Sequence, residues 1–327
     1  MKKFISILLV SLIAFSVFAQ GAKEGADLSF LNGKENVSVR VTALKGPTGM
    51  GLVSLMDKSE SGAVNGNEYT FELIGAPSEI PAKLLKGESD IAAIPANLAS
   101  VIYNNSNGKV EVLAVNTLGV LYLIGSGDEI TDLSTLNGKT IYASGKGSTP
   151  EYALMYILEQ AGVKANVEWK SEHAECVAAI LNDSNAVALL PQPFATTAML
   201  KNSSLHAILD LNKAWASYSD GSALVTGVVV ARKAFIQEHK DAVDQFLLDY
   251  AASTTFANEN VKDAAKLVGK YNIVPENVAS IALPKCNIVC ITGTEMKEKL
   301  SGYLEVLYSQ NAKAVGGKLP LDDFYYL

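Results

Sequence analysis

Three cysteines, three histidines and two tryptophans in 327 residues leave little material for metal sites, disulfide frameworks or stacking platforms. An odd number of cysteines matches no metal or redox spacing. Cys286 and Cys290 stand four apart in the apolar run Cys286-Asn287-Ile288-Val289-Cys290. Four residues of extended strand span ~13 Å, beyond the Cα separation a disulfide tolerates, so buried free thiols are expected. His173, His206 and His239 are scattered, and no metal site or catalytic triad is written in the chain. Positive charge is short too: the formal net charge is −7, and removing Lys2 and Lys3 of the leader takes it to −9. That balance argues against nucleic acid or an anionic membrane as partner. Between Ser222 and Leu327 no apolar run is long enough to cross a membrane.

The first nineteen residues have the form of a secretory leader. Met1-Lys2-Lys3 is a positive start, Phe4 to Phe18 is apolar apart from Ser6, Ser11 and Ser16, and Val17-Phe18-Ala19 offers a cleavage site. The run is short for a span of ~20 residues, so cleavage and export are expected over anchoring. The remainder is too long for one ordinary core and suits two domains.

Those domains share one plan. Val37 to Leu44 is a strand-like run that breaks into Lys45-Gly46-Pro47-Thr48-Gly49 and then a helical pattern. Lys139 to Ser144 breaks in the same way into Gly145-Lys146-Gly147-Ser148-Thr149-Pro150. Each unit closes on a short buried run ending in proline, Asp90 to Pro95 and Asn185 to Pro191. Strands alternating with helices mean βαβ units and parallel pairing. The spacing predicts helices over 48–59, from Ser78, from Asn97, and over 150–161 and 174–181. Strands are predicted over 69–75, 90–95, 141–144, 167–170 and 186–190. Val110 to Gly125 reads as one long strand crossing outward and Asp220 to Val230 as the return. Helices near 240–257, 259–269 and 294–309 should pack back on the first lobe. The domains are then 37–120 with 224–327, and 121–223.

In an open α/β sheet the loops at the carboxyl ends of the strands face the binding crevice. That rule collects Lys45, Gly46, Pro47 and Thr48, then Gly75 and Ala76, then Asn97, from the first lobe. From the second it collects Lys146, Gly147, Ser148 and Thr149, then His173, then Gln192. Asn116 and Thr117 are polar residues inside the crossover strand and should line the cleft. Several of these loops precede helices, whose first N–H groups favour an anion. With Lys45 and Lys146 beside them, they predict a carboxylate- or sulfonate-type solute, with a neutral pyrimidine-like heterocycle as the alternative. Ser148 and Thr149 before Pro150 also read as plain helix capping. Phe194, Tyr122, Tyr142 and Trp169 read as core or hinge packing. No catalytic residue and no acid–base pair appears on these loops, so none is assigned.

On these residues the chain resembles the substrate-binding proteins of ABC importers, the type-2 periplasmic fold of the nitrate/sulfonate/taurine and thiamine-precursor group. The resemblance is carried by Leu44 to Gly51, Gly75-Ala76-Pro77, Asp90 to Pro95, Gly147 to Glu151 and Leu190 to Pro193. It implies two lobes, each a central mixed, mostly parallel sheet flanked by helices, joined by a two-segment hinge. It further implies a monomer without cofactor that captures a small molecule and docks on a permease driven by an ATPase subunit. No cysteine lies near the cleavage site to carry the lipid common in such proteins. Pyrimidine-synthesising enzymes of similar outline are the rival class, but their cysteine cluster is missing here.

Overall fold

The computed structural model describes residues 36–327 except Asn65, Ser184, Asp220 and Gly221. The leader and the first two residues of the expected return strand lie outside the described residues. The chain forms two mixed sheets and belongs to the two-lobed α/β class. Strand β1 (Val37–Leu44) is followed by helices α1 (Pro47–Met50) and α2 (Val53–Glu60), then β2 (Asn67–Ile74), α3 (Ile80–Lys86), β3 (Ile91–Pro95), α4 (Ala96–Asn105) and β4 (Val110–Thr117). The second sheet opens with β5 (Leu121–Gly125) and continues through β6 (Thr140–Ser144), α5 (Thr149–Gln160), β7 (Asn166–Lys170), α6 (His173–Asn182), β8 (Val187–Pro191), α7 (Phe194–Lys201), β9 (His206–Asp210) and α8 (Leu211–Tyr218). The chain then returns as β10 (Gly227–Arg232), α9 (Lys233–Glu238), α10 (Lys240–Glu259), α11 (Val261–Lys270), α12 (Glu276–Ala282), β11 (Ile288–Ile291) and α13 (Gly293–Gln310).

The first sheet has the order β11-β4-β10-β3-β1-β2 and the second β7-β6-β8-β5-β9. In the first, β1, β2, β3 and β4 share a direction while β10 and β11 oppose it. In the second, β5 alone opposes the others. The reversed strands have a simple cause. The chain leaves the first sheet at the carboxyl end of β4 and, after Leu118-Gly119-Val120, enters β5 with Leu121 opposite Pro191, the carboxyl end of β8. A strand that enters from the crevice must run away from it. β10 enters the same way, Gly227 lying opposite both Pro95 and Thr117. The short crossing therefore sets the carboxyl ends of the two sheets against each other.

Four expectations need correcting. Val110 to Gly125 is two strands, because Leu118 N bonds Asn287 O at 3.1 Å and Asn287 Nδ2 donates to Gly119 O, drawing the link out of both sheets. The helix expected over 48–59 breaks at Gly51. A side chain there would meet Tyr250 Oη at 3.0 Å and Ile288 Cγ2 at 3.1 Å, so the chain lies flush on α10. The return strand begins at Gly227; Ser222 to Thr226 lie outside it. The last helix does not pack on the first lobe alone. Met296, Leu300, Tyr303, Leu304 and Leu307 are fully buried and belong to one apolar cluster with Val112 and Val115 of β4 and Tyr152, Ile157 and Trp215 of the second lobe. Cys176, Cys286 and Cys290 are free, the first two buried and the third half-buried.

Candidate functional site

At the carboxyl end of the first sheet, β1, β4 and β10 converge on a tight polar cluster. Thr48 is buried in α1, Asn116 and Thr117 are fully buried at the end of β4, and Gly227 opens β10 between them. A side chain at Gly227 would run into Asn116 Oδ1 and come within 2.7 Å of Thr48 Cγ2. The Thr48 hydroxyl donates to Leu44 O at 3.2 Å, and Thr117 Oγ1 donates to Asn116 Oδ1 at 3.0 Å. Thr226 Oγ1 remains buried without a partner, while the Asn116 amide is turned towards the buried Tyr250 hydroxyl. Thr226 sits between two strands, its N–H bonding Thr117 O at 2.9 Å and its carbonyl accepting from Ala96 N at 3.1 Å. A buried polar atom without a partner costs of order 1–3 kcal/mol, which a ligand or water could recover.

Around this cluster the other expected residues separate. Asn97 is buried as the second residue of α4; its Nδ2 reaches Ala314 O at 3.4 Å and its Oδ1 has no partner. Lys45 is exposed, Gly46 buried and Pro47 half-buried. Gly75 and Ala76 follow β2, the outermost strand of the sheet, with Gly75 exposed and nothing within 4 Å of where its side chain would be.

In the second lobe the glycine-rich loop is largely engaged with itself. The Ser148 hydroxyl donates back to Gly145 O at 2.6 Å, so it does not cap α5. Gly147 N donates to Glu151 Oε2 at 2.5 Å, placing the chain's own carboxylate where an anion would sit. Ser171 N is taken likewise by Glu175 Oε2 at 2.9 Å. Thr149 is buried and its hydroxyl pairs with Tyr303 Oη at 2.8 Å, across to α13. Lys146 is exposed. Gln192 is buried; its Oε1 accepts from Thr196 Oγ1 at 2.8 Å and its N–H bonds Val120 O in the crossing at 3.0 Å.

His173 opens α6 and is half-buried, with its Nδ1 2.5 Å from Ser144 Oγ at the end of β6. Its ring lies 5.1 Å from that of Phe194, the first residue of α7. Burial pushes the imidazole down to about 4, so it is neutral at physiological pH. Ser144, Thr226 and Tyr303 were not reached from the sequence, and Phe194 was read there only as core or hinge packing. Ser144, a lone hydroxyl between Ala143 and Gly145 at a strand end, was the one readable signal. Its link to a histidine 29 residues away was not readable.

The arginines are kept away from both walls. Both arginines of the chain, Arg40 and Arg232, are bound to the buried Asp90, at the opposite end of the first sheet. Among the described residues no group of three His, Cys, Asp or Glu could hold a metal, and no helix is long and apolar enough to cross a membrane. Two grooves open elsewhere. One of about 360 Å³ lies over Met56, Tyr69, Phe71 and Tyr271 on the outer edge of the first lobe. Another of about 470 Å³ runs between α5 and the end of α13, beside Tyr152, Glu159 and Gln310. Neither includes the convergent residues above.

A family model described as menaquinone biosynthesis matches residues 50–283. No curated protein matches the chain in sequence. Among solved structures, an ABC transporter from Parabacteroides distasonis is similar at 24% identity and TM-score 0.76, over 89% of this chain and 99% of that one. The periplasmic aliphatic sulphonate binding protein SsuA from Escherichia coli is similar at 15% identity and TM-score 0.70, over 89% and 92%. The periplasmic nitrate-binding protein NrtA from Synechocystis PCC 6803 follows at 13% identity and TM-score 0.56, over 76% and 70%. These likenesses establish the two-lobed periplasmic-binding-protein fold.

Proposed function

We propose that this chain, which belongs to the menaquinone-biosynthesis family, is an exported solute-binding protein of an ABC importer. It captures a small organic solute between lobes 37–120 with 224–327 and 121–223, and delivers it to a permease with its ATPase subunit. The observation that carries this reading is the pair of opposed walls. Thr48, Asn116, Thr117 and Thr226 converge on one side of a short crossing, and Ser144, His173 and Gln192 on the other. Convergent hydrogen-bonding groups at strand ends are what a solute site needs. The sulphonate- and nitrate-binding proteins of similar fold support the same role. Lys45 and Lys146 support an anionic solute, and the neutral side chains of both walls support an uncharged one.

An enzyme is the second reading. The family description names a biosynthetic route, and Ser144 with His173 is a hydroxyl–imidazole pair. Ser144 is only 1% exposed, however, so its oxygen is shut off from a substrate. The test is a thermal-denaturation screen over alkylsulfonates, short carboxylates, nitrate and uncharged heterocycles, since a bound ligand raises stability by mass action. A compound that raises the transition and is recovered intact after long incubation is the expected result. Recovery of an altered compound would establish the enzyme reading instead.

A further inference from the structure

We infer that Asn287 is a positioning residue of the solute site. From the turn between α12 and β11 it grips the outbound crossing, and through Gln192 it fixes the second-lobe wall against the first. Its effect on a solute rests on the binding-protein reading above; its effect on the lobes does not.

The turn is anchored in the first lobe. Cys286 and Ile288, on either side of Asn287, are buried in one apolar cluster with Met50, Ala257 and Leu283. Asn258 Nδ2 of α10 donates to Ile288 O at 2.9 Å, and Ile288 lies opposite Thr117 at the end of β4. Between these fixed points Asn287 has φ 43°, a left-handed conformation that asparagine adopts at less cost than most residues. Both its carbonyl and its amide are spent on the crossing. Leu118 N donates to the carbonyl at 3.1 Å, and Nδ2 donates to Gly119 O.

The crossing is held from the other lobe as well. Gly119 lies flush on Asn212, near the start of α8; a side chain there would fall 2.5 Å from Asn212 Cβ. Val120 O accepts from Gln192 N at 3.0 Å. Just beyond, Tyr122 Oη of β5 donates to Lys285 O at 3.3 Å, two residues before Asn287. Leu118 to Val120 spans only ~10 Å even fully extended, so fixing each residue leaves little freedom to swing. The first lobe thus reaches Gln192 through consecutive links: Asn287 to Gly119, then Val120, then Gln192. Without the amide the crossing keeps only the Leu118 bond, and the wall carrying Gln192 samples a wider range of angles. Shape alone does not serve, because a carboxylate in the same place has no N–H to give Gly119 O. Only molecules with the walls opposed can grip a solute from both sides, so a looser ensemble binds more weakly.

The lobes are read first, on the ligand-free mature protein. Nitroxide labels at Lys45 and Glu172, both exposed and on opposite lobes, give their separation by pulsed electron paramagnetic resonance. They are attached through a non-cysteine handle, because Cys176, Cys286 and Cys290 are free thiols. The parent should show one narrow distance. Asn287→Asp has the same shape and tolerates the same turn, and Asn287→Gly keeps the backbone and loses the amide. In both, the parent distance should fall to about a third of the population, which lowers affinity about threefold. Tyr122→Phe, which leaves the turn untouched, should spread the distances in the same sense. An ordinary buried bond would lower the melting temperature and leave the distances alone. Unchanged distances in Asn287→Asp and Asn287→Gly, or in Tyr122→Phe should neither of those fold, would overturn the inference. Calorimetry with taurine and nicotinamide reads the affinity. A probe that binds the parent and Asn287→Asp equally, with the distances spread, would overturn the role at the site. No heat from either probe in the parent would count against the binding-protein reading instead, with the distances still deciding the grip on the lobes.

Discussion

Gly227 leaves no room for a side chain: its missing Cβ would fall on Asn116 Oδ1 and 2.7 Å from Thr48 Cγ2. Gly227→Ala should cost roughly 1–3 kcal/mol as overpacking, read from the urea midpoint, and should weaken any bound solute by moving Asn116. Asp90 tests the other end of the sheet. Burial disfavours its charge, but bonds from Arg40 and Arg232 outweigh that and hold its carboxyl below the usual range. Its contribution is therefore present above the unfolded carboxylate pKa of about 3.9 and lost as pH falls through the lower folded value. Asp90→Asn should cost about 3 kcal/mol at pH 7, the lower end for a broken buried pair because Arg40 can turn to solvent. In urea melts the gap between variant and parent should close towards pH 3. His173 behaves oppositely to a salt-bridged histidine. Its folded value is about 4, against about 6.5 unfolded, so between those values the unfolded chain takes a proton the native ring refuses. Stability should fall as pH drops from 6.5 towards 4, by at most roughly 3 kcal/mol. That slope should vanish in His173→Gln.

Elements with a strong pattern were legible. β1 spans Val37–Leu44 as read, and α5, α6, β6 and β7 lie within a residue of their expected ends. β9 and β11 were missed because both are edge strands, and in β9 only Ile208 is buried, which leaves no alternation to see. α8 carried a readable start in Asp210, whose Oδ1 accepts from Asn212 N at 2.9 Å. The loops of the site were readable as loops, since strand-to-helix punctuation is local. How their hydroxyls are used was not, because Tyr303 and His173 reach Thr149 and Ser144 through tertiary packing. α13 is the clearest case. Its helical period was visible, yet nothing local says that Tyr303 reaches Thr149 in the other lobe. Tyr303→Phe leaves that buried hydroxyl unpaired and should cost about 1 kcal/mol. In a double-mutant cycle with Thr149→Val, most of that loss should be shared by the pair.

At the scale of the whole molecule, the two lobes are joined by more than the crossings. Leu118 to Val120 and Ser222 to Thr226 carry the chain across, and both lie outside regular strands. Tyr122 Oη also donates to Lys285 O at 3.3 Å, α12 packs on α7, and α13 spans both lobes through Tyr303 and Trp215. Closure on the proposed solute would pivot about α13, because its buried face cannot leave either lobe without exposing Leu300, Leu304 and Leu307 to water. A small twist about that helix, absorbed by the two non-strand crossings, is the motion this permits. A solute drives it only by binding the closed form better, which requires contacts from both walls. Small-angle scattering should thus show a modest fall in radius of gyration at saturating solute. Tyr303→Phe should keep the fall, whereas His173→Gln should abolish it at the same solute concentration. Hydrogen exchange should slow at Leu118 to Val120 and Ser222 to Thr226 on binding, and stay unchanged along α13. A radius that does not move at saturation, with calorimetry confirming occupancy, would mean the lobes are already locked by α13 and that solute enters without closure.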